Sequence, residues 1–169
     1  MSRQQALIQA PTALVADDED GPREQLLAAL RLAWPALQVV AVASNGVDAW
    51  DVFLQHEPMV CFLDIRMPGL SGIDVARRIG QRAQVVFVSA YGDHALAAFD
   101  AGAVDYVLKP VEGARLAQAV QRTQARLAST TPEAPDAQAL QLLLKQLAGQ
   151  VRSRPRCRCC KPAWAARYG

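Results

Sequence analysis

No run of residues in this sequence is long and apolar enough to cross a bilayer, which takes about 20 consecutive apolar residues. Nor does the chain open on the basic, apolar, small-residue succession of a secretory signal. A cytoplasmic protein with no membrane association is therefore expected. Histidine is scarce: His56 and His94 are the only two, they have no partners at metal-ligand spacing, and they read as ordinary surface residues. Cysteine is unevenly spread. Cys61 sits in an apolar run and reads as a small buried hydrophobe. Cys157, Cys159 and Cys160 form a lone C-x-C-C with no second ligand pair, a poor tetrahedral zinc site. An excess of positive charge is also missing from the body. Residues 1–150 hold 12 basic and 16 acidic residues, a net of −4, which excludes a broad nucleic-acid-binding face. The basic residues gather in 151–169, six Lys/Arg and no acid, enough only for weak, unspecific phosphate contact.

What the chain does have is an ordinary globular balance, 51% hydrophobic and 20% charged. Five near-continuous apolar runs recur: "TALVA" (12–16), "QVVAVA" (38–43), "MVCFLD" (59–64), "QVVFVSA" (84–90) and "AVDYVLK" (103–109). Continuous rather than alternating runs predict strands covered on both faces. Helical patterns lie between them. "GPREQLLAALRLAW" puts Leu26, Leu27, Leu30 and Trp34 on one face, with Pro22 near the start where its missing N–H costs little. "NGVDAWDVFLQHEP" aligns Val47, Trp50, Phe53 and Leu54. "SGIDVARRIG" opens on a capping Ser71 and closes near Gly80. "DHALAAFDAG" opens on a capping Asp93 and closes at Gly102, and "EGARLAQAVQRTQARLA" carries Leu116, Val120 and Leu127. Strand–helix alternation of this kind predicts an α/β fold: a doubly wound, five-stranded parallel sheet with right-handed crossovers, strand order 2-1-3-4-5, and five helices.

The alternation spans residues 11–128. "STTPEAPD" (129–136) reads as a linker. Residues 137–150 read as an extra helix, with Leu140, Leu143, Leu144 and Leu147 on a stripe that Val151 continues. Two heptads leave open whether this helix pairs with a second copy or packs back on the domain. Residues 151–169 show no period and are expected to be a disordered or non-native basic tail, out of frame or vector-derived.

In a doubly wound sheet, ligands bind beyond the carboxyl ends of the strands. The first strand ends in Asp17 and Asp18, the third in Asp64, the fourth in Ser89 and the fifth in Lys109. The predicted topology gathers these ends into one cleft. Clustered carboxylates repel each other, and a hard divalent cation relieves that cost; Mg2+ suits a site with few carboxylates and a phosphoryl oxygen. A carboxylate can also attack phosphorus and form an acyl phosphate, with cations around the transferring oxygens. Asp64 is the candidate nucleophile, Asp17 and Asp18 the metal holders, and Lys109 and Ser89 the phosphoryl contacts. Glu19 and Asp20 read as solvated loop charges.

"ADDED", "LDIRMPGLSG", "VSA" and "DYVLKP" together closely resemble the receiver domain of bacterial two-component response regulators, which has the CheY-like, flavodoxin-like fold. The resemblance implies that Asp64 is the phosphoacceptor, that Asp18 and Asp64 bind Mg2+ directly, that Asp17 acts through water, and that the Arg66 carbonyl is a further ligand. It implies Lys109 and Ser89 as phosphoryl-binding groups, Tyr106 as a switch aromatic that turns inward as Ser89 moves, and a cis Lys109–Pro110 bond. Arg66 and Tyr91, two residues after Asp64 and Ser89, stand where the family tunes phosphoryl lifetime. The implied activity is self-phosphorylation and autodephosphorylation only, with a sensor histidine kinase as partner and homodimerisation through the face of helix 4, strand 5 and helix 5.

"VSAYGDHALAAFDAGAVDYVLKPV" further resembles receivers of LytTR-type (LytR/AlgR-like) transcriptional regulators, which carry a C-terminal, mostly β DNA-binding domain. Only 41 residues follow Ala128, so an isolated receiver or a truncated chain is expected, with DNA contact and transcription regulation reserved to the absent domain. Two other classes compete. A haloacid-dehalogenase-type aspartyl phosphatase typically places a second acid two residues after its nucleophile, where this chain has Arg66. A flavin-binding module needs a Ser/Thr/Gly-rich phosphate loop after the first strand, where "ADDED" repels phosphate.

Overall fold

The computed structural model describes residues 10–129 and 141–147. Strands β1 (Thr12–Ala16), β2 (Gln38–Ala43), β3 (Val60–Leu63), β4 (Gln84–Ser89) and β5 (Asp105–Leu108) form one parallel sheet in the order β2-β1-β3-β4-β5. The helices α1 (Asp20–Ala33), α2 (Gly46–His56), α3 (Gly72–Ile79), α4 (Ala95–Asp100) and α5 (Gly113–Ala128) alternate with the strands. A 3-10 turn (Gly92–His94) precedes α4, a helical element beyond the expected five, and residues 141–147, within the extra helix expected at 137–150, are also helical. The expected fold class and strand order are those of the molecule.

The period-2 alternation of strand side chains sorts the core into two halves. Leu14, Cys61, Leu63, Val85 and Phe87 face one side, where Phe53, Val75, Ile79 and Ala98 cover them. Val15, Val60, Phe62 and Val86 face the other, against Leu26, Leu30, Leu116 and Val120. Each large apolar side chain removed from water contributes about 1.5–3 kcal/mol before entropy is set against it. β3 is buried along its whole length, which is why its run is continuously apolar up to the acid that follows it. β2 departs from the expectation of cover on both faces: it is the sheet edge, and Val42 is exposed.

Two helix starts are capped by side chains. Ser71 Oγ accepts the Asp74 N–H, and Asn45 Oδ1 accepts the Asp48 N–H, each relieving a donor without an intrahelical partner. Asp93 is not the cap expected of it. It lies within the 3-10 turn and makes no cap bond, because the chain winds tightly there before α4 begins at Ala95. The α2 stripe is also rotated from its expected face. Phe53 and the small Ala49 are buried and Trp50 is half-buried, stacked 5.7 Å from Phe53, while Val47 and Leu54 are exposed. Ala49 lets the helix sit close to the sheet, and that proximity selects the buried face.

Residues 129–136 and 151–169 fall outside the described residues except for Ser129, as do Leu140 and Val151 of the leucine stripe. Of the alternatives for the extra helix, packing back on the domain is what residues 141–147 do. Leu143 is buried in the same core half as Phe87 and Tyr106, and Leu147 packs against it.

Candidate functional site

The carboxyl ends of β1 and β3 are locked side by side. The Asp64 N–H donates to the Ala16 carbonyl at 2.8 Å, and the Asp17 N–H donates to Ala43 at 3.1 Å. Asp17 and Asp64 are buried and Asp18 is exposed, and one carboxylate oxygen from each lies within 4.8 Å of the others. β5 supplies the counter-charge: Lys109 Nζ is 2.7 Å from Asp17 Oδ2 and 3.0 Å from Asp64 Oδ2. The Lys109 backbone N–H donates to the Ser89 carbonyl at 3.0 Å, and Lys109–Pro110 is cis, as the resemblance implied. Burial pulls the Lys109 ammonium down, but its bonds to Asp17 and Asp64 outweigh burial and leave it above the ordinary lysine value.

Polar atoms are left open around this pair. Asp17 Oδ1 accepts the Glu19 N–H at 3.0 Å, while its buried Oδ2 makes no hydrogen bond beyond the Lys109 ion pair. Asp64 Oδ1 accepts only a long 3.4 Å contact from the Arg66 N–H. Ser89 Oγ, fully buried at the end of β4, makes no hydrogen bond of good geometry among the described residues, although the Tyr106 hydroxyl is close enough to interact with it. Native structures rarely strand a buried hydroxyl, so this one points to a ligand oxygen or an ordered water. Three carboxylates balanced by one ammonium likewise fit a hard divalent cation, whose oxygen preference matches this donor set. The exposed Arg66 guanidinium lies over the Tyr91 ring at the rim. A cleft of about 560 Å³ opens alongside, bordered by Asp18, Arg66, Ile65, Met67, Ile73 and His94. His94 borders this cleft, whose lining does not include the Asp17–Asp64 pair.

Tyr106 is fully buried, and its hydroxyl donates to the Tyr91 carbonyl, the inward orientation. Burial pushes its phenol up to about 12 against the opposing effect of the neighbouring Ser89 hydroxyl, and the charges of Asp64 and Asp93 add to the rise. Cys61 is buried in β3, and burial pushes its thiol well above the ordinary value, as suits a packing residue.

One charged constellation is missing from the sequence reading. Asp105, fully buried in β5, binds Arg115 through two nitrogens, and Arg122 reaches its Oδ2 at 2.7 Å. Arg115 also donates to the Tyr106 carbonyl at 2.7 Å, so the cluster pins the strand that carries Tyr106 and Lys109. A sequence signal existed: Arg115 and Arg122 are seven apart and share one face of α5, beside an acid in an otherwise apolar strand.

With that geometry in view, residues 13–121 match the model of the response regulator receiver domain. The chain belongs to the response regulator receiver family. Among relatives of this receiver, an uncharacterized response regulatory protein of Vibrio cholerae is 42% identical over 147 residues, 85% of this chain and 56% of that protein. The sensory transduction protein LytT of Enterococcus faecalis is 32% identical over 123 residues, 71% of this chain and 50% of LytT. The chain spans about half the length of these relatives. Among solved structures, the receiver domain of AraT, a response regulator from Geobacillus stearothermophilus, superposes with a TM-score of 0.65 at 27% identity, covering 70% of this chain and 96% of that one.

Proposed function

We propose that this receiver is a phosphorylation-dependent switch in which Asp64 accepts a phosphoryl group in the presence of Mg2+. The supporting observation is the pairing of Asp64 with Lys109 beside two further carboxylates and the buried Ser89 hydroxyl. Asp18 and Asp64 would hold the ion directly, Asp17 through water, with the Arg66 carbonyl as a further ligand, and the metal would supply charge neutralisation for the transferring oxygens. An Asp64 carboxylate oxygen attacks phosphorus and forms an acyl phosphate. The donor is a phosphohistidine of a sensor kinase, whose P–N bond breaks as imidazole leaves. Lys109 and Ser89 bind phosphoryl oxygens, Lys109 exchanging part of its present ion pairing for that contact.

In this reading Tyr106 is the readout, and the face of α4, β5 and α5 is where a homodimer or an output partner engages. Resemblance to LytTR-type sequences and the extra length of the relatives support transcription regulation as the output of a longer regulator, acting on DNA through a C-terminal domain. A stand-alone receiver working by protein contact is the alternative. Arg66, where an aspartyl phosphatase typically has its second acid, argues against turnover of foreign phosphoesters. The boundaries proposed are 11–128 for the receiver, 129–136 for the linker, 137–150 for an extra helix and 151–169 for the tail.

Incubation with Mg2+ and acetyl phosphate followed by intact mass is the direct test. The expected result is one phosphoryl adduct, lost in Asp64→Asn and without Mg2+. Unaltered mass with the small donor and with a cognate kinase overturns the proposal.

A further inference from the structure

Residues 141–147 are helical and held against the domain by their apolar side chains. Leu143 is 1% exposed within the core half that contains Tyr106, Leu108, Ala95 and Ala98. Leu144 and Lys145 face solvent. Leu147 lands on Gly92: a Cβ built on Gly92 would stand 2.1 Å from Leu147 Cδ2. A side chain at position 92 would displace the Leu147 side chain from this seat and weaken the contact.

Gly92 directly follows Tyr91, whose carbonyl accepts the Tyr106 hydroxyl. The short connection after β4 is consequently gripped twice, by Tyr106 from the core and by Leu147 from the helix. A shift that releases one grip moves the seat of the other.

We propose that the helix at 141–147 is an intramolecular ligand of the switch, docking on the Tyr91–Gly92 connection when Tyr106 is turned inward. This rests on the proposed phosphorylation of Asp64, which biases Ser89 and Tyr106. The inward Tyr106 and the seated helix both bear on the Tyr91–Gly92 connection, and the proposal is that each favours the other. Coupling between two sites is reciprocal: phosphorylation tightens the helix on the domain, and a seated helix favours the phosphorylated form. The phosphorylation state is then reported to whatever follows the helix through its attachment.

Amide hydrogen exchange on the full chain, read by peptide mass with intact mass in parallel, tests this. In Mg2+ and acetyl phosphate, exchange in 141–147 is expected to slow by about fivefold or more relative to Mg2+ alone. Gly92→Ala and, independently, Leu147→Ala are expected to remove that protection while β1 and β3 stay protected. An adduct on Asp64 with unchanged exchange in 141–147 overturns the coupling and leaves the phosphoacceptor reading intact. Should no adduct form with acetyl phosphate or with a cognate kinase, the phosphoacceptor reading fails, and Tyr106→Phe decides the rest. Faster exchange in 141–147 on loss of that hydroxyl supports the mechanical link; unchanged exchange overturns it.

Discussion

The Arg66 guanidinium carbon lies 3.7 Å from the centroid of the Tyr91 ring. The two residues come from different connections, those after β3 and after β4, and meet over the rim of the carboxylate cluster. A guanidinium on an aromatic face is held by the ring quadrupole, an attraction of about 0.5–1 kcal/mol where solvent reaches it.

If Asp64 is phosphorylated as proposed, this pair is expected to slow the approach of water to the acyl phosphate. Arg66→Gly and Tyr91→Ala should each shorten the phosphoryl lifetime several-fold. The double variant should add little to the stronger single one, because either change breaks the same contact. Loss of the adduct mass after donor removal measures this, and lifetimes equal to wild type in both variants refute it.

Lys109 is the counter-charge for two buried carboxylates, so its removal should be far costlier than that of a surface lysine. Leaving buried charges without their partner costs about 3–5 kcal/mol, and Lys109→Ala should lower stability on that scale in Mg2+-free buffer. Asp64→Asn should do the opposite and raise the urea midpoint slightly, since one of two repelling carboxylates is gone while Lys109 keeps Asp17. A destabilised Asp64→Asn would contradict this account of the charge balance.

Gly72 opens α3 against the strand end that presents Asp64. Its N–H donates to the Ile65 carbonyl at 2.9 Å, and a Cβ there would lie 2.0 Å from the Asp64 carbonyl oxygen. The backbone cannot yield as a flexible side chain does. Gly72→Ala should therefore cost about 1–3 kcal/mol, the range for overpacking. Mg2+ affinity, followed by calorimetry, should weaken as the Asp64–Arg66 backbone shifts. Gly80→Ala is a poor control because of its positive φ of 58°. Gly113→Ala, with open space at its Cβ, is the appropriate one.

The Tyr106 phenol should ionise later than an ordinary tyrosine. Its phenol is raised from about 10 to about 12 in the folded state, so the folded protein holds a proton that the unfolded chain releases. The corresponding stability is present below pH 10 and is lost as pH rises from about 10 to about 12. Phenolate absorbance should show one late transition that disappears in Tyr106→Phe. Absence of a late transition that Tyr106→Phe removes would mean that Tyr106 is not shielded as described.

Much of the fold was legible because burial writes itself into composition. β1, β3 and β4 are apolar on both faces, and such runs separated by helical stretches leave few topologies besides a doubly wound sheet. The placement of Asp17, Asp18, Asp64, Ser89 and Lys109 at strand ends followed from that topology alone. Legibility failed where one side chain's environment depends on another far along the chain. Asp93 has the composition of a helix cap, yet tight winding after β4 took it out of that role. Val47 and Leu54 have the spacing of a buried stripe, yet Ala49 is what the sheet accepts. Asp105 looked like one polar interruption in a strand, and only α5 brings Arg115 and Arg122 to it.

The sequence by itself determined the element order, the two-sided burial of the central strands and the set of acids, hydroxyl and lysine at their ends, because these depend on local periodicity and on the register of a parallel sheet. Tertiary structure decided which charges are paired, that Lys109 stands between Asp17 and Asp64, that Arg66 covers Tyr91, and that Leu147 rests on Gly92. Those relationships are distances of a few ångströms between residues tens of positions apart, set by how close-packed layers interlock, and no period in the chain encodes them.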